Sequence, residues 1–543
     1  MLMVFAFAPQ LDAPAYANDK NPANDLVAAT SADGKNPAND LVAAENSDDG
    51  NPAISLVVDG AAANIEGKQG SSVYFGNYWQ SSDGNDGYAV EPIKWRVLEN
   101  DSTNKKLFLL SDKNLDCKTF NETNISVTWD TCTVRAWLNG YDENSNNNQQ
   151  DFSPATANFK DNAFSTGEYS AVNETSIDNN NDKVFLLSDE EALNGDYGFW
   201  KYSIHDDPAR EAEITDYARH QGVNEGHYPG YGNWWLRSPI TYNPSAVYNY
   251  WATAVSYTGD FTGGNVRVNG DGYAVRPALN LDLGSVLFTS AAEGGKASGE
   301  VGSDALTEVG TNEGGEWKLT LKDTSGHSGF AVTGRKVNRT GVDIYYSGAK
   351  TGTDEYISAI ITDKDITDSS AEIKYYGRIK NCAEDSDASG MITINALGKY
   401  ENGYHLYLFN EQYNGDKKTD YSSSLQEVNL PIVCTVSFAN GLGNTLKTEN
   451  VIVGYPATPP ADPTRDGYTF KGWGKDFSNV AEDMTVTAKW EKSPDPNPDT
   501  AATKASSKGS TSKTGDAVIP VAVVAIITAI AAGALLVARR RMD

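Results

Sequence analysis

Lys106-Leu107-Phe108-Leu109-Leu110-Ser111-Asp112 is an apolar run, and its pattern recurs in Lys183-Val184-Phe185-Leu186-Leu187-Ser188-Asp189. A continuous apolar run of this length is typical of a β-strand that is buried on both faces. Loops rich in Asn, Asp and Gly, such as residues 142–151 and 178–182, lie between the apolar segments. Residues 67–290 are therefore predicted to form one large domain of buried strands and long polar loops.

Two helices are also predicted in this domain. Residues 133–139 place Val134, Trp137 and Leu138 on one face of a short helix. A second helix is predicted to begin at Asp207-Pro208, where a capping residue precedes a proline, and to end before Gly222. Strands and helices together predict an α+β domain.

The composition excludes several classes of protein. The chain has 543 residues and a net charge of -29, so most of its surface would repel a phosphate backbone, and nucleic acid is excluded as a partner. Four cysteines in a chain of this length exclude a disulfide-dense scaffold. The length predicts a multidomain protein.

Both ends of the chain predict export and anchoring. Residues 1–17 are apolar and close on Ala15-Tyr16-Ala17, which fits the cleavage site of a signal peptide, although the basic segment that normally precedes the apolar part is missing. Residues 517–538 contain no charge and are long enough to form a transmembrane helix. The arginines in residues 539–543 predict a cytoplasmic tail, with the rest of the chain outside.

Two low-complexity segments separate the ends from the folded part. Residues 18–66 contain a 15-residue repeat that begins at Asn21-Pro22-Ala23 and are predicted to be an acidic disordered stalk. Residues 491–516 are predicted to be a spacer rich in Pro, Ser, Thr and Lys. The order Thr514-Gly515, apolar span and basic residues resembles the sortase sorting signal of Gram-positive surface proteins, which implies anchoring at Thr514 and Gly515. The Leu-Pro of that signal is replaced by Thr511-Ser512, so a plain membrane anchor remains the alternative.

The first domain resembles a domain of unknown function that is widespread in Gram-positive surface proteins. The motifs that carry this resemblance are Lys94-Trp95-Arg96-Val97-Leu98, residues 106–112 and 183–189, residues 134–139, Thr215-Asp216-Tyr217-Ala218, Trp234-Trp235-Leu236-Arg237-Ser238-Pro239 and Ala274-Val275-Arg276-Pro277-Ala278-Leu279. The last two motifs are also similar to the closing strands of C-type-lectin-like and formylglycine-generating-enzyme-like folds. This resemblance implies an α+β C-type-lectin-like domain.

Two further modules follow. Residues 314–432 alternate apolar and polar residues in short runs, which predicts a β-sandwich, and residues 355–360 and 411–416 look like a module found behind the first domain in such proteins. Residues 433–490, with Gly467-Tyr468-Thr469-Phe470-Lys471-Gly472-Trp473 at their centre, are similar to the Listeria-Bacteroides repeat, also called the internalin B-repeat. That resemblance implies a small β-grasp spacer.

Aromatic and arginine side chains near the Trp-Trp-Leu-Arg motif are the predicted ligand contacts, because such groups recognise sugars and carboxylates. They are Tyr228, Tyr231, Trp234, Trp235, Arg237, Trp251 and Arg276, with Tyr242, Tyr248 and Tyr250 as further loop aromatics. The alternative for the tryptophans and arginines is that they fill the core and bind buried carbonyl groups.

No catalytic or metal-binding motif emerges. His205, His220 and His227 lie among carboxylates, but their spacing fits no known metal pattern, and no metal or cofactor is predicted. Asp178, Asn180 and Asp182 begin like a calcium loop, but Lys183 stands where the loop needs glycine, so calcium is left open. A disulfide between Cys117 and Cys132 is one possibility, and two free thiols are the other.

These features predict a bacterial protein that is held at the cell envelope by its C-terminus and displays a lectin-like domain on β-rich spacers. Such an adhesin would bind a glycan or a host or envelope protein. Two alternatives are an envelope enzyme acting through the lectin-like domain, which the absence of a catalytic motif disfavours, and a purely structural surface-layer protein.

Overall fold

The computed structural model describes residues 51–58, 60–67, 70–85, 87–141, 158–177, 180–239, 250–261 and 266–494. Strands dominate these residues, and the five α-helices among them have at most seven residues each. The helices are α1 (Thr133–Asn139), α2 (Phe159–Ala163), α3 (Thr166–Ser170), α4 (Asp189–Ala192) and α5 (Asp216–His220).

The described residues also form thirty strands and four short 3-10 helices. Up to residue 291 they are β1 (Asn51–Pro52), β2 (Ile54–Leu56), β3 (Ser72–Ser82), β4 (Tyr88–Asp101), β5 (Lys106–Ser111), β6 (Asp116–Cys117), β7 (Thr175–Ile177), β8 (Asn180–Asp182), β9 (Val184–Phe185), β10 (Trp234–Pro239), β11 (Trp251–Val255), β12 (Val266–Arg267), β13 (Ala274–Val275), β14 (Ala278–Asp282) and β15 (Val286–Ala291). Beyond it they are β16 (Thr307–Glu308), β17 (Thr311–Asn312), β18 (Glu316–Lys322), β19 (Ala331–Val337), β20 (Val342–Ser347), β21 (Glu355–Thr362), β22 (Ile373–Asn381), β23 (Gly390–Ile394), β24 (His405–Gln412), β25 (Asp420–Ser422), β26 (Gln426–Val428), β27 (Val433–Ala439), β28 (Thr445–Ile452), β29 (Tyr468–Trp473) and β30 (Met484–Lys492).

The largest sheet contains 14 strands, and its main path is β16-β22-β21-β24-β25-β18-β3-β4-β5-β14-β9. The two similar apolar runs both supply strands to it, β5 and β9, and both pair antiparallel with β14. Residues 107–110 are buried, as predicted for a strand covered on both faces. Of the second run only Val184 and Phe185 are in a strand, because Ser188 accepts a hydrogen bond from the Glu191 N–H and caps α4 instead.

Strand β18 joins the two halves of this sheet. It pairs parallel with β3 through Trp317 and Val73, parallel with β25, and antiparallel with β15. The predicted fold class, an α+β lectin-like domain followed by a separate β-sandwich, is therefore wrong. The described residues are mainly β, and one continuous sheet runs through both regions because β18 forms hydrogen bonds to strands on either side.

A three-stranded sheet, β19-β20-β23, covers part of the large sheet. Between them lies an apolar core to which β20 contributes Val342 and Ile344, β21 contributes Ile357, and β24 contributes Leu406. The alternation that the sequence shows in this region thus forms two packed layers.

A five-stranded sheet, β12-β11-β10-β13-β6, holds the Trp-Trp-Leu-Arg motif in β10. Helix α1 matches its predicted bounds, and all seven of its residues are buried. The prediction of a helix from Asp207 is wrong, since only Asp216–His220 is helical. Residues 213 and 214 instead form isolated bridges to Tyr231 and Asn114.

Residues 51–56, which the sequence assigns to the stalk, form β1 and β2. Strand β2 pairs with β15 and places Ile54 in an apolar cluster with Phe288. The three residues Ile54–Leu56 form a strand because the edge of β15 offers them both backbone hydrogen bonds and apolar side-chain contacts.

In the repeat region β27 lies between β28, antiparallel, and the Met484–Thr487 part of β30, parallel. Phe438 packs against Trp473 at 5.0 Å and Phe477 at 5.3 Å between ring centroids. The predicted β-grasp character of this region is not seen, since residues 433–494 contain strands and no helix.

The described residues divide into two compact units, one within 51–461 and 473–489, the other with 462–472 and 490–494. In the second unit the Arg465 guanidinium lies 3.6 Å from the Tyr468 ring centroid, and Phe470 packs against Trp490. Among the described residues no helix is both long and apolar enough to cross a membrane. The predicted signal peptide, residues 1–17, and the predicted transmembrane helix, residues 517–538, lie outside the described residues, as do Thr514 and Gly515 and the tail at 539–543.

Candidate functional site

Residues 199–206, called the aromatic loop below, expose three large apolar side chains. Trp200 is 58% exposed, Tyr202 53% and Ile204 80%, whereas Phe199 at the start of the loop is buried at 3%. Large apolar side chains that cluster in solvent are a mark of interaction sites. The loop is therefore the strongest candidate for ligand contact in the described part of the chain.

Arg210 holds the backbone of this loop. Its guanidinium is fully buried and uses all five of its N–H donors on backbone carbonyl groups. The acceptors are Ala192 (3.2 Å), Trp200 (2.7 Å), Tyr202 (2.9 Å), His205 (3.1 Å) and Gly259. Three of these carbonyls belong to the aromatic loop. Hydrogen bonds from a buried side chain therefore fix the backbone that carries the exposed rings.

Asp207 closes the loop. One carboxylate oxygen accepts the Trp200 N–H at 2.9 Å, the other accepts the Ala209 N–H at 3.0 Å, and the carboxylate pairs with Arg210 at 3.2 Å. The turn that carries Gly259 approaches closely: a Cβ there would lie 2.0 Å from the Asp207 carbonyl oxygen, and φ is +79°. Only glycine fits this position without displacing the loop.

Arg96 supports the loop from the side of β4. It donates to the carbonyl groups of Ala209 at 2.5 Å and Tyr197 at 3.5 Å, and its guanidinium lies 4.9 Å from the centre of the Phe199 ring. Burial lowers the pKa of Arg96 to about 10, so it stays charged at neutral pH. A cavity of about 230 Å³ opens beside Arg96 and Pro208.

Three of the predicted ligand contacts are buried instead of facing solvent. Trp234 and Trp235 have no exposed surface, and Arg276 is 1% exposed. The Trp234 indole N–H and Arg276 Nη1 each donate to the Arg210 carbonyl oxygen at 3.1 Å. Burial, together with the charge of Arg96, lowers the pKa of Arg276 to about 9. These three residues therefore fill the core and donate to buried carbonyl groups, which is the alternative that the sequence analysis gives for them.

The other predicted contacts differ in exposure and in partners. Arg237 forms a two-pronged ion pair with Glu191 and donates to the Leu186 carbonyl at 2.7 Å. Trp251 is partly buried in β11, and Tyr231 is partly buried. Tyr228 is 62% exposed and packs near Tyr257. Tyr250 packs against the core, and Tyr242 and Tyr248 lie outside the described residues.

The three histidines around residues 205–227 do not meet. His205 packs edge-on against Trp200 and Tyr202, His220 lies near Tyr88, and His227 lies near Tyr257. Among the described residues the group with metal-ligand geometry is Asp365, His405 and Glu427, whose ligand atoms lie within 4.8 Å of one another.

Asp182, from the calcium-like sequence, is fully buried and accepts hydrogen bonds from the Trp129 indole at 2.8 Å and from Arg135 Nε at 2.9 Å. Its carboxylate is thus occupied by protein donors. Cys117 and Cys132 are both free thiols in the structure, which corresponds to the second of the two alternatives that the sequence leaves open.

The sequence offered little sign of the aromatic loop. Phe199-Trp200-Lys201-Tyr202-Ser203-Ile204 alternates apolar and polar residues like a strand. No strand of the described residues pairs with it, and Arg210 donates instead to three of its carbonyl groups, those of Trp200, Tyr202 and His205. The sequence does contain one signal for this loop. It is an alternating run with three large apolar residues that ends shortly before the turn-forming pair Asp207-Pro208.

Comparison with protein families finds two matches. Residues 104–283 match a family described as a domain of unknown function (DUF6273), and residues 435–493 match the Listeria-Bacteroides repeat domain. The predicted repeat is thereby confirmed, and it supports a bacterial surface-associated protein. Among curated proteins, none matches this chain. The aromatic loop lies inside the first matched segment.

Proposed function

We propose that this protein is a surface-displayed binding protein whose aromatic loop binds a glycan. The observation that carries the proposal is the pair of exposed rings, Trp200 and Tyr202, on a backbone fixed by Arg210. Aromatic faces pack against the apolar face of a sugar ring, and a fixed loop loses little entropy on binding.

Polar groups that could bind sugar hydroxyls alternate with the rings. Lys201, His205 and Asp206 are exposed within the same loop, and Ser203 is partly exposed. Ligand sites commonly combine an aromatic surface with a few polar groups that fix orientation. The chain's net charge of -29 disfavours a polyanionic ligand, so a neutral glycan is the favoured class.

A protein ligand is less well supported. A standard protein interface covers about 800 Å² on each partner, with a central cluster that excludes water. Three side chains on one loop of eight residues supply only a small part of such an area. A single sugar unit or a short oligosaccharide fits this size better.

The test is a glycan array probed with the purified chain, followed by competition with the free sugar. The proposal is supported if binding is saturable and a free neutral sugar competes with it. Binding restricted to protein ligands on a parallel matrix-protein array would contradict it, and so would silence on both arrays, which would favour a structural role.

A further inference from the structure

Lys296 lies between two carboxylates in the interior. Its Nζ is 2.5 Å from an oxygen of Glu411 and 2.9 Å from an oxygen of Asp420, and all three side chains are fully buried. Glu411 belongs to β24 and Asp420 begins β25, whereas Lys296 lies on the segment that follows β15. A lysine is rarely buried this completely.

Apolar and aromatic groups exclude water from this cluster. The centroids of the Phe288, Tyr376 and Tyr413 rings lie 5.7, 5.8 and 6.0 Å from Lys296 Nζ. Lys318, on β18, reaches Asp420 at 2.9 Å and is itself 2% exposed. The cluster therefore contains two amines and two carboxylates with no net charge.

The two carboxylates have different surroundings. Asp420 accepts hydrogen bonds from Lys318 at 3.0 Å and from the Asn414 N–H at 2.9 Å, and these donors draw electrons from its carboxyl carbon. Glu411 accepts from the Tyr376 hydroxyl with one oxygen and faces Lys296 with the other. Asp420 is thus placed as an electrophile, and Glu411 as the group that takes a proton from Lys296.

We propose that Lys296 and Asp420 condense into an intramolecular amide (isopeptide) bond, with Glu411 relaying the protons. Lys296 passes a proton to Glu411, and the neutral amine attacks the Asp420 carboxyl carbon. The new C–N bond forms as one C–O bond breaks, and Glu411 delivers two protons in succession from the nitrogen to the departing oxygen. One water leaves, no electrons are transferred, and Glu411 ends as a carboxylate.

The charge balance of the cluster allows this outcome, and the exclusion of water favours it. Before the reaction the cluster holds two ammonium groups and two carboxylates, and afterwards Lys318 and Glu411 remain as one charge of each sign, so the cluster is neutral in both states. Burial alone would lower the pKa of Lys296, but Asp420 and Glu411 outweigh it and raise the pKa. Burial alone would raise the pKa of Glu411, but Lys296 outweighs it and lowers the pKa. The proton therefore rests on Lys296, and its transfer to Glu411 is the step of the reaction that costs free energy. Reactants held about 3 Å apart in a site without water gain a large effective concentration.

The bond would close a covalent loop between residues 124 positions apart. It would tie the segment after β15 to β25, next to the strand that joins the two halves of the large sheet. A force applied to the chain ends could then not separate the segment after β15 from β25.

The experiment is the intact mass of the purified full chain, followed by proteolysis and peptide sequencing by mass spectrometry. We expect a mass lower by one water than the sequence of the purified chain requires, and a branched peptide that joins Lys296 to Asp420. An unmodified mass overturns the proposal, as does a branched peptide that joins Lys296 to Glu411.

Variants separate the roles. Lys296→Arg and Glu411→Gln should both show the unmodified mass, whereas Glu355→Gln, which alters a buried carboxylate bound by His327 at 2.9 Å, should keep the loss of water. If the mass of Glu411→Gln is still lower by one water, the role that we assign to Glu411 in proton transfer is wrong. If a variant does not fold, the mass and branched peptide of the unaltered chain still decide the question.

Discussion

The Arg210 guanidinium donates a hydrogen bond to the backbone carbonyl of Trp200 at 2.7 Å. A fully buried charge thus fixes the backbone beneath an indole that is 58% exposed. The same guanidinium binds four more carbonyl groups, so the shape of the aromatic loop depends on one side chain. The hydrogen bonds of Arg210 make the proposed binding site rigid. A substitution of Arg210 should therefore alter the site although Arg210 itself does not contact the ligand.

Arg210→Met should destabilise the protein strongly. The change leaves five carbonyl groups without their donor and Asp207 without its buried partner, and breaking a buried charge pair costs about 3–5 kcal/mol. Urea unfolding followed by tryptophan fluorescence measures the loss. Hydrogen exchange should show faster exchange at the amides of residues 199–206.

Arg219→Met is the matched control. Arg219 pairs with Asp216 at 2.6 Å and with Glu225, but its own side chain is 43% exposed, and an exposed ion pair contributes about 0–1 kcal/mol. Equal losses of stability in the two variants would contradict the role assigned to Arg210.

Trp234→Phe should lower stability without abolishing ligand binding. The Arg210 carbonyl loses the indole N–H but keeps its hydrogen bond from Arg276, so the free energy of unfolding should fall by about 1–3 kcal/mol. Binding titrations on the folded variant should give a Kd within about threefold of the unaltered protein, a change of less than 1 kcal/mol. A complete loss of binding with unchanged stability would mean that Trp234 touches the ligand.

The four cysteines should all titrate as free thiols after unfolding without a reductant. Burial raises the pKa of Cys132 to about 12 and those of Cys117 and Cys382 to about 11. Because the thiolate is the reactive form, labelling of the folded protein at pH 8 should be slow. A thiol assay in guanidinium chloride that finds only two groups would contradict this prediction, and peptide mapping would then show whether Cys117 and Cys132 are the joined pair.

Asp323 should make stability depend on pH in the acid range. Burial alone would raise the pKa of its carboxyl group, but N–H groups of Gly326 and Ser325 and the His327 ring outweigh it and hold the pKa below its usual value. A carboxyl group with a depressed pKa in the folded state stabilises that state above the unfolded value of about 3.9. This contribution is lost as the pH falls through the lower, folded pKa.

Asp323→Asn should therefore be less stable than the unaltered protein at pH 7, and the difference should shrink below about pH 4. Urea midpoints at several pH values give the comparison, with the exposed Asp271→Asn as the control that shows little difference at any pH. A difference that grows as the pH falls would have the wrong sign for this account.

Local patterns in the sequence were enough to predict local structure. The apolar run at 106–111 is a strand buried on both faces, and the stripe of Val134, Trp137 and Leu138 is a helix with the predicted bounds. The repeat near the C-terminal end was recognised from its turn and strand motif and is confirmed. These signals lie within one element, so tertiary contacts do not have to be known.

Long-range pairing could not be predicted in this way. Glu316 and Ser72 are neighbours in parallel strands, yet nothing in either segment identifies the other. The loss of the predicted helix at Asp207 has a similar cause, because the Asp207 carboxylate accepts the N–H of Trp200, which lies before it, as well as that of Ala209. The aromatic loop was missed for the same reason, since Arg210 defines it through contacts on five other residues.

The central claim is that the aromatic loop binds a neutral glycan, and the most direct measurement is the affinity of a Trp200→Ala, Tyr202→Ala double variant for a glycan identified on the array. Tyr345→Ala is the control, since Tyr345 is also exposed, at 44%, but lies on β20. Isothermal titration should show at least about tenfold weaker binding, or about 1.4 kcal/mol, for the double variant and an unchanged Kd for the control. A double variant that is folded and binds the glycan as tightly as the unaltered protein would contradict the account.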